Sequence, residues 1–325
     1  MMKKPFKIED ISTYRSELMG WAILWIMMLH FTFTQIKPLG FLAQFGYAGV
    51  EIFMLVSGFG LFFSLDKDRD ITKFYKKRLL RIFPTYYILG VFASILLYHD
   101  NIVTYLFRYS TIGFWTGGAY GEWYIPSIVL LYIVAPFLKK LFDKKLSKVI
   151  IFICSLCILA SFIIVKSNII TKGEPHFFLL YRVPAFIFGM ACAYWIKEKS
   201  SSKYYYLILL VGIPFFALLF PLHHDIYNFK YLSVFFLLPL FTICFILISK
   251  LAKWFNPIIG AIGRSSLEVY IIQGMFFHAI VTGILSIPVE YHDAISILLI
   301  ILSSCLGIMT HWLIGKTGIN RFLRT

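Results

Sequence analysis

Runs of about 20 mostly apolar residues, the length a helix needs to cross a bilayer, recur along this chain with short connections between them. Ten stretches qualify approximately: 18–35, 44–65, 82–98, 123–142, 147–166, 177–196, 204–221, 231–250, 266–286 and 293–315. A water-soluble fold could not bury them all. Hydrophobic residues make up 59% of the chain and charged residues 14%, against roughly 25% charged in soluble domains. The expected fold class is all-α, a polytopic membrane protein of about ten transmembrane helices forming a single domain over 1–325. No internal repeat is evident. The first apolar run is longer than a signal-peptide core and no small-residue cleavage site follows it, so no cleavable leader is expected.

The basic residues orient these spans. With the N-terminus inside, twenty-five Lys and Arg fall in cytoplasmic segments or at the inner span ends and five on the outer side, and the remaining cation, Arg182, lies within a span. Basic residues collect on the cytoplasmic side of membrane proteins, and one missed helix would invert every later loop. Both termini are therefore expected in the cytoplasm, and 103–117 becomes an external or re-entrant segment. The same bias accounts for the net charge of +15, so no nucleic acid partner is expected. The five cysteines all sit in apolar runs and read as packing residues. Cys154 and Cys157 have no nearby His, Asp or further Cys to complete a metal site, and none is expected.

Ionisable side chains within a bilayer cost about 2.5–3.5 kcal/mol each at helix centre, and those that persist are functional by default. At 1.5 Å per residue, His30 lies ~8 Å below the outer surface, Glu51 ~10 Å, Arg182 ~8 Å and His278 ~12 Å. Four helices thus bring four ionisable groups into one outer layer. One reading is a polar pocket in which His30 acts as general base, held by Glu51. Arg182 then orders the carboxylate or stabilises an oxyanion, with His278 as a further orienting group. The other is a structural Glu–Arg pair with two histidines satisfied by backbone carbonyls. Glu122, Trp123 and Tyr124 sit at the outer mouth of span four. With Tyr105, Tyr109, Trp115 and Tyr120 of the long outer loop they read as a sugar-stacking surface or as an interfacial aromatic belt.

The inner face carries seven cations between Lys67 and Arg81, including Lys76, Lys77, Arg78 and Arg81. This is a topology signal and, being denser than orientation needs, also a candidate site for a phosphorylated ligand. Span three is expected to begin near Pro84, which suits a first helical turn.

Six segments together resemble the integral-membrane acyltransferase family 3, which includes bacterial O-acetyltransferases acting on surface glycans. They are GWAILWIMMLHF (20–31), GYAGVEIFMLVSGFGL (46–61), FYKKRLLRIFPTYY (74–87), EWYIPSIVLLYIVAPFL (122–138), YRVPAFIFGMACAY (181–194) and GRSSLEVYIIQ (263–273). The resemblance runs from about Ser16 to the C-terminus. It implies transfer of an acyl group, usually acetyl, from cytoplasmic acyl-CoA, here acetyl-CoA, to a hydroxyl of a cell-surface or lipid-linked carbohydrate. His30 matches the family's first-helix histidine, Glu51 stands where an acidic residue is usual, and Arg78, Arg81 and Arg182 match motif arginines. By the same resemblance Lys76, Lys77, Arg78 and Arg81, together with Arg15, read as a site for the phosphates of coenzyme A. Two positions depart from the pattern. Met19 stands where the family commonly has an arginine eleven residues before the histidine, a place Arg15 could partly fill by reaching upward. Gln273 stands where many members have histidine. The location that follows is the cell (inner) membrane. The alternatives are a transporter or flippase of a polysaccharide precursor, which would fit inverted repeats and broken helices better, and a non-catalytic relative of the family.

Overall fold

The computed structural model describes residues 6–68, 70–117, 121–166, 178–199, 203–219 and 234–317. It is all-helical, 83% helix with no strands among the described residues. Five helices there are long and apolar enough to cross a membrane: Ala48–Lys67, Ile71–Tyr98, Tyr124–Asp143, Leu179–Lys197 and Val289–Lys316. They coincide with spans two, three, four, six and ten. Tyr120, the outer cations Lys172 and Lys230, and the ends of spans 204–221 and 231–250 lie outside the described residues.

After a single turn at Asp10–Thr13, the long helices in chain order are α1 (Arg15–Phe31), α2 (Ala48–Lys67), α3 (Ile71–Ala93), α4 (Tyr124–Asp143), α5 (Ser147–Lys166), α6 (Phe178–Lys197), α7 (Lys203–Leu219), α8 (Leu238–Leu251), α9 (Asn256–Arg264), α10 (Ser266–Val281) and α11 (His292–Lys316). Two short helices, Ile102–Tyr109 and Ile112–Trp115, fill the expected external segment. Phe92, Ile95, Leu96, Ile151, Phe152 and Leu210 are exposed on the outside of the bundle, where hydrocarbon rather than water is the natural neighbour for such side chains.

α2 and α6 form the centre of the bundle and run parallel in one register. Glu51 pairs with Arg182 near one end and Asp66 with Lys197 at the other, and each pair is separated by 131 residues. Between them the backbones touch. A Cβ at Gly58 would lie 2.0 Å from the Phe186 carbonyl oxygen, and one at Gly189 2.0 Å from that of Leu55. Small residues at facing positions let membrane helices approach this closely, where packing rather than water drives association.

The start of α3 corrects the sequence reading. The helix begins at Ile71, where the Asp70 carboxylate caps it by accepting from the Lys73 N–H at 3.0 Å. Pro84 sits in its interior. The missing donor at a proline is tolerated in membrane helices because neighbours re-satisfy the backbone, so Pro84 does not mark a start. The basic cluster is therefore on a helix, and helical geometry divides it. Arg78 and Arg81 share a face, whereas Lys76 lies about 160° round from Arg78 at 100° per residue and is exposed.

Candidate active site

Between α1, α2, α3, α4 and α10 lies a cavity with about 800 Å³ of space free of protein atoms. Arg15, Arg78 and Arg81 line it, followed by Met19, Leu61, Ile82, Ile128, Ser57 and Ile26, with Tyr124 and Tyr270 beyond. No acidic side chain is among the lining residues. The Nε atoms of Arg15 and Arg78 are buried without a hydrogen-bond partner. Buried guanidinium donors left unsatisfied are costly, and three like charges around one space repel each other. The arrangement suits an anion. Arg15 reaches the wall of α2, where a Cβ on Gly60 would lie 3.1 Å from its Nη2. Arg15 and Met19 thus both face the cavity. Of the five expected phosphate ligands, Arg15, Arg78 and Arg81 line this space; Lys76 and Lys77 are not among its walls.

His30 lies four residues, about one helical turn, beyond Ile26, or ~6 Å further along α1 at 1.5 Å per residue. Its Nδ1 is 2.7 Å from Gln273 Oε1 on α10, and its ring stacks on Phe277 with centroids 4.6 Å apart. The Gln273 amide is itself oriented, since its Nε2 donates to the Tyr270 carbonyl at 3.2 Å. An amide oxygen can only accept, so Nδ1 carries the proton and Nε2 of the neutral ring keeps its lone pair. The sequence reading assigned the orienting role to Glu51. His30 Nδ1–H donates to Gln273 Oε1 instead, and Glu51 is paired with Arg182.

α11 fixes the end of α1 just past His30. Ser296 donates to the Phe31 carbonyl at 2.7 Å. The Asp293 carboxylate accepts from the backbone N–H groups of Thr34, Gln35 and Ile36 at 2.8, 3.0 and 2.6 Å. Thr32, between these anchors, has φ 52°, which a β-branched residue adopts only under constraint.

Glu51 and Arg182 form a buried ion pair through Arg182 Nη1 and Glu51 Oε1, with side chains 0% and 2% exposed. The guanidinium also sits 5.9 Å from the Trp123 ring centroid. Arg182 thus pairs with Glu51, which is the contact that the structural reading of this layer describes. His278 is placed apart, its ring 4.7 Å from that of Tyr98. Tyr98 in turn lies 4.1 Å beneath Arg108, whose guanidinium grips Asp100 at 2.7 and 3.0 Å.

The outer trio separates into three environments. Trp123 faces Arg182. Tyr124 lines the cavity, as does Ser57. Glu122 rests against α10, where a Cβ on Gly274 would lie 2.1 Å from Glu122 Oε1. Burial pushes the Glu122 carboxyl up to about 7, and the neighbouring Tyr270 side chain opposes that rise. The sequence reading did not anticipate Tyr270, Ser57, Asp293 or Ser296, and knew Gln273 only as a departure. Neither hydroxyls nor a helix-start aspartate stand out in a one-dimensional scan for intramembrane charge.

Comparison with known proteins follows the same lines. A family model described as "Acyltransferase domain" matches residues 18–316. A protein of Acidianus two-tailed virus, described as "Putative acetyltransferase ORF330", is 29% identical over 199 residues. That match covers 58% of this chain, which spans 58% of the length of that relative. No solved structure matches.

Proposed function

The chain belongs to the acyltransferase domain family, and on that premise we propose that it is a transferase that moves an acetyl group from acetyl-CoA to a hydroxyl of a cell-surface or lipid-linked carbohydrate. The observation that carries the reading is the cavity. It joins three guanidinium groups with no acidic neighbour in its walls to a region one turn from a histidine whose Nε2 lone pair is free of the Gln273 bond.

In this account the phosphates of the donor dock at Arg15, Arg78 and Arg81, where guanidinium forks match phosphate geometry. The thin pantetheine arm follows the apolar walls of Leu61, Ile82 and Ile128. His30 Nε2 takes the proton of the acceptor hydroxyl, and that oxygen attacks the thioester carbonyl carbon. The C–S bond breaks as the ester forms, and the imidazolium returns its proton to the departing thiolate. Glu51 and Arg182 hold the helix packing beside Trp123, and Tyr124, the one member of the outer trio that lines the cavity, meets the acceptor.

The proposal includes ten crossings in a single domain over 1–325, both termini in the cytoplasm and residence in the cell (inner) membrane. Parallel α2 and α6 suit that topology, since an odd number of crossings must separate parallel spans. Family membership sets aside the flippase alternative.

The test is transfer of radiolabel from acetyl-CoA to surface glycan in cells expressing the protein. Wild type labels the glycan, and a His30→Ala variant falls by about 10²–10⁴-fold, the usual worth of a general base. Equal labelling by both would overturn the role of His30.

A further inference from the structure

A second cleft opens beside the first, with about 950 Å³ of free space. The two share Arg81, Ser266 and Leu267, so one extended molecule could occupy both. Their chemistry differs. The first is lined largely by apolar side chains beyond its arginines, whereas the second presents Arg264, Glu268, His311, Thr85 and Ser266. Neither Arg81 nor Arg264 forms an ion pair among the described residues.

Glu268 is the unusual member. It is 4% exposed at the start of α10. Its Oε1 accepts from the Thr85 hydroxyl at 3.4 Å and lies 3.1 Å from His311 Nδ1. Its Oε2 is buried with no hydrogen-bond partner. A carboxylate oxygen left unsatisfied costs free energy unless a donor fills the site. A plain phosphate pocket has no use for such a group, because it would repel the ligand. A ligand that carries both phosphates and hydrogen-bond donors resolves the conflict.

We propose that this second cleft holds the nucleotide end of the acyl-CoA donor, with Glu268 accepting from the adenosine amine or ribose hydroxyl and Arg264 binding a phosphate. Arg81, common to both cavities, then meets the diphosphate where the molecule passes from one to the other. The proposal rests on the acyl-CoA reading above and adds a subsite that reads the adenosine, which the narrow cavity alone would not.

The test is isothermal titration of the detergent-solubilised full chain with coenzyme A and with 4′-phosphopantetheine, which lacks the nucleotide. Glu268→Gln and Arg264→Gln are each expected to weaken coenzyme A about tenfold, as loss of one hydrogen bond to a charged group does, and to leave 4′-phosphopantetheine unchanged. The unchanged ligand also shows that the variants are folded. Unaltered coenzyme A affinity in both variants, or equal weakening of both ligands, would overturn the subsite. Failure of the wild type to bind either ligand would overturn the acyl-CoA reading itself, and the subsite with it.

Discussion

His30 and Gln273 face each other across α1 and α10 with 2.7 Å between Nδ1 and Oε1. Because the Gln273 amide nitrogen is already engaged with the Tyr270 carbonyl, the contact selects one tautomer of the imidazole. Hydrogen-bond partners that orient metal-bound histidines are typically worth 10–100-fold, and a loss of that order is expected for this orienting contact. Gln273→Leu is expected to lower turnover by about that factor while coenzyme A affinity stays within twofold, read from kcat and titration. A proportional loss of both would assign Gln273 to folding instead.

The Glu51–Arg182 pair lies fully inside the bundle. Removing one partner of a buried pair leaves an uncompensated charge and costs about 3–5 kcal/mol, whereas replacing both with apolar groups is often neutral. Glu51→Leu is expected to lower the thermal midpoint sharply, and Glu51→Leu with Arg182→Met to recover most of it. Additive losses in the double variant would count against coupling.

α2 and α6 touch through Gly58 and Gly189, where an added Cβ would strike backbone carbonyls. Backbone cannot yield as a flexible side chain does, and overpacking costs about 1–3 kcal/mol. Gly58→Ala and Gly189→Ala should each lower the thermal midpoint, whereas Gly283→Ala, at a positive φ with open space around it, tests backbone strain alone. Wild-type midpoints for Gly58→Ala and Gly189→Ala would contradict the close approach.

Burial raises the Glu122 carboxyl from 4.5 to about 7. The folded state thus binds this proton more tightly than the unfolded chain, and stability from this group is full below 4.5 and declines as pH rises through about 7. Glu122→Gln should flatten the fall in thermal midpoint between those pH values. An identical pH profile in both proteins would rule out Glu122 as the titrating group.

Much of the helical frame was legible in the sequence because apolar length is a local property. The spans expected at 44–65 and 293–315 end within two residues of the helix limits Lys67 and Lys316, and finding them needs no knowledge of neighbours. Pro84 was misread because the basic residues before it look like a loop until the Asp70 cap is seen. Arg15, Arg78 and Arg81 were legible as a cluster by charge, but the separation of Lys76 from them needed the helix. Pairing was harder. Glu51, His30 and Arg182 share a depth, and depth alone does not decide which two meet. One signal was present and passed over: Glu51 and Arg182, Gly58 and Gly189, and Asp66 and Lys197 are complementary pairs at one constant offset. A fixed offset among charges and glycines is what two parallel packed helices require.

The cavity itself is tested most directly by closing it. Ser57 lines its middle, and Leu96 faces outward, 59% exposed. Radiolabelled acetyl transfer to carbohydrate should be measured in inverted membrane vesicles supplied with acetyl-CoA. Ser57→Trp is expected to transfer at least about tenfold more slowly than wild type, since misplacing bound reactants by ~1 Å can cost 10²-fold, while Leu96→Trp keeps the wild-type rate. Transfer at the wild-type rate by a folded Ser57→Trp protein would show that the donor does not travel through this space.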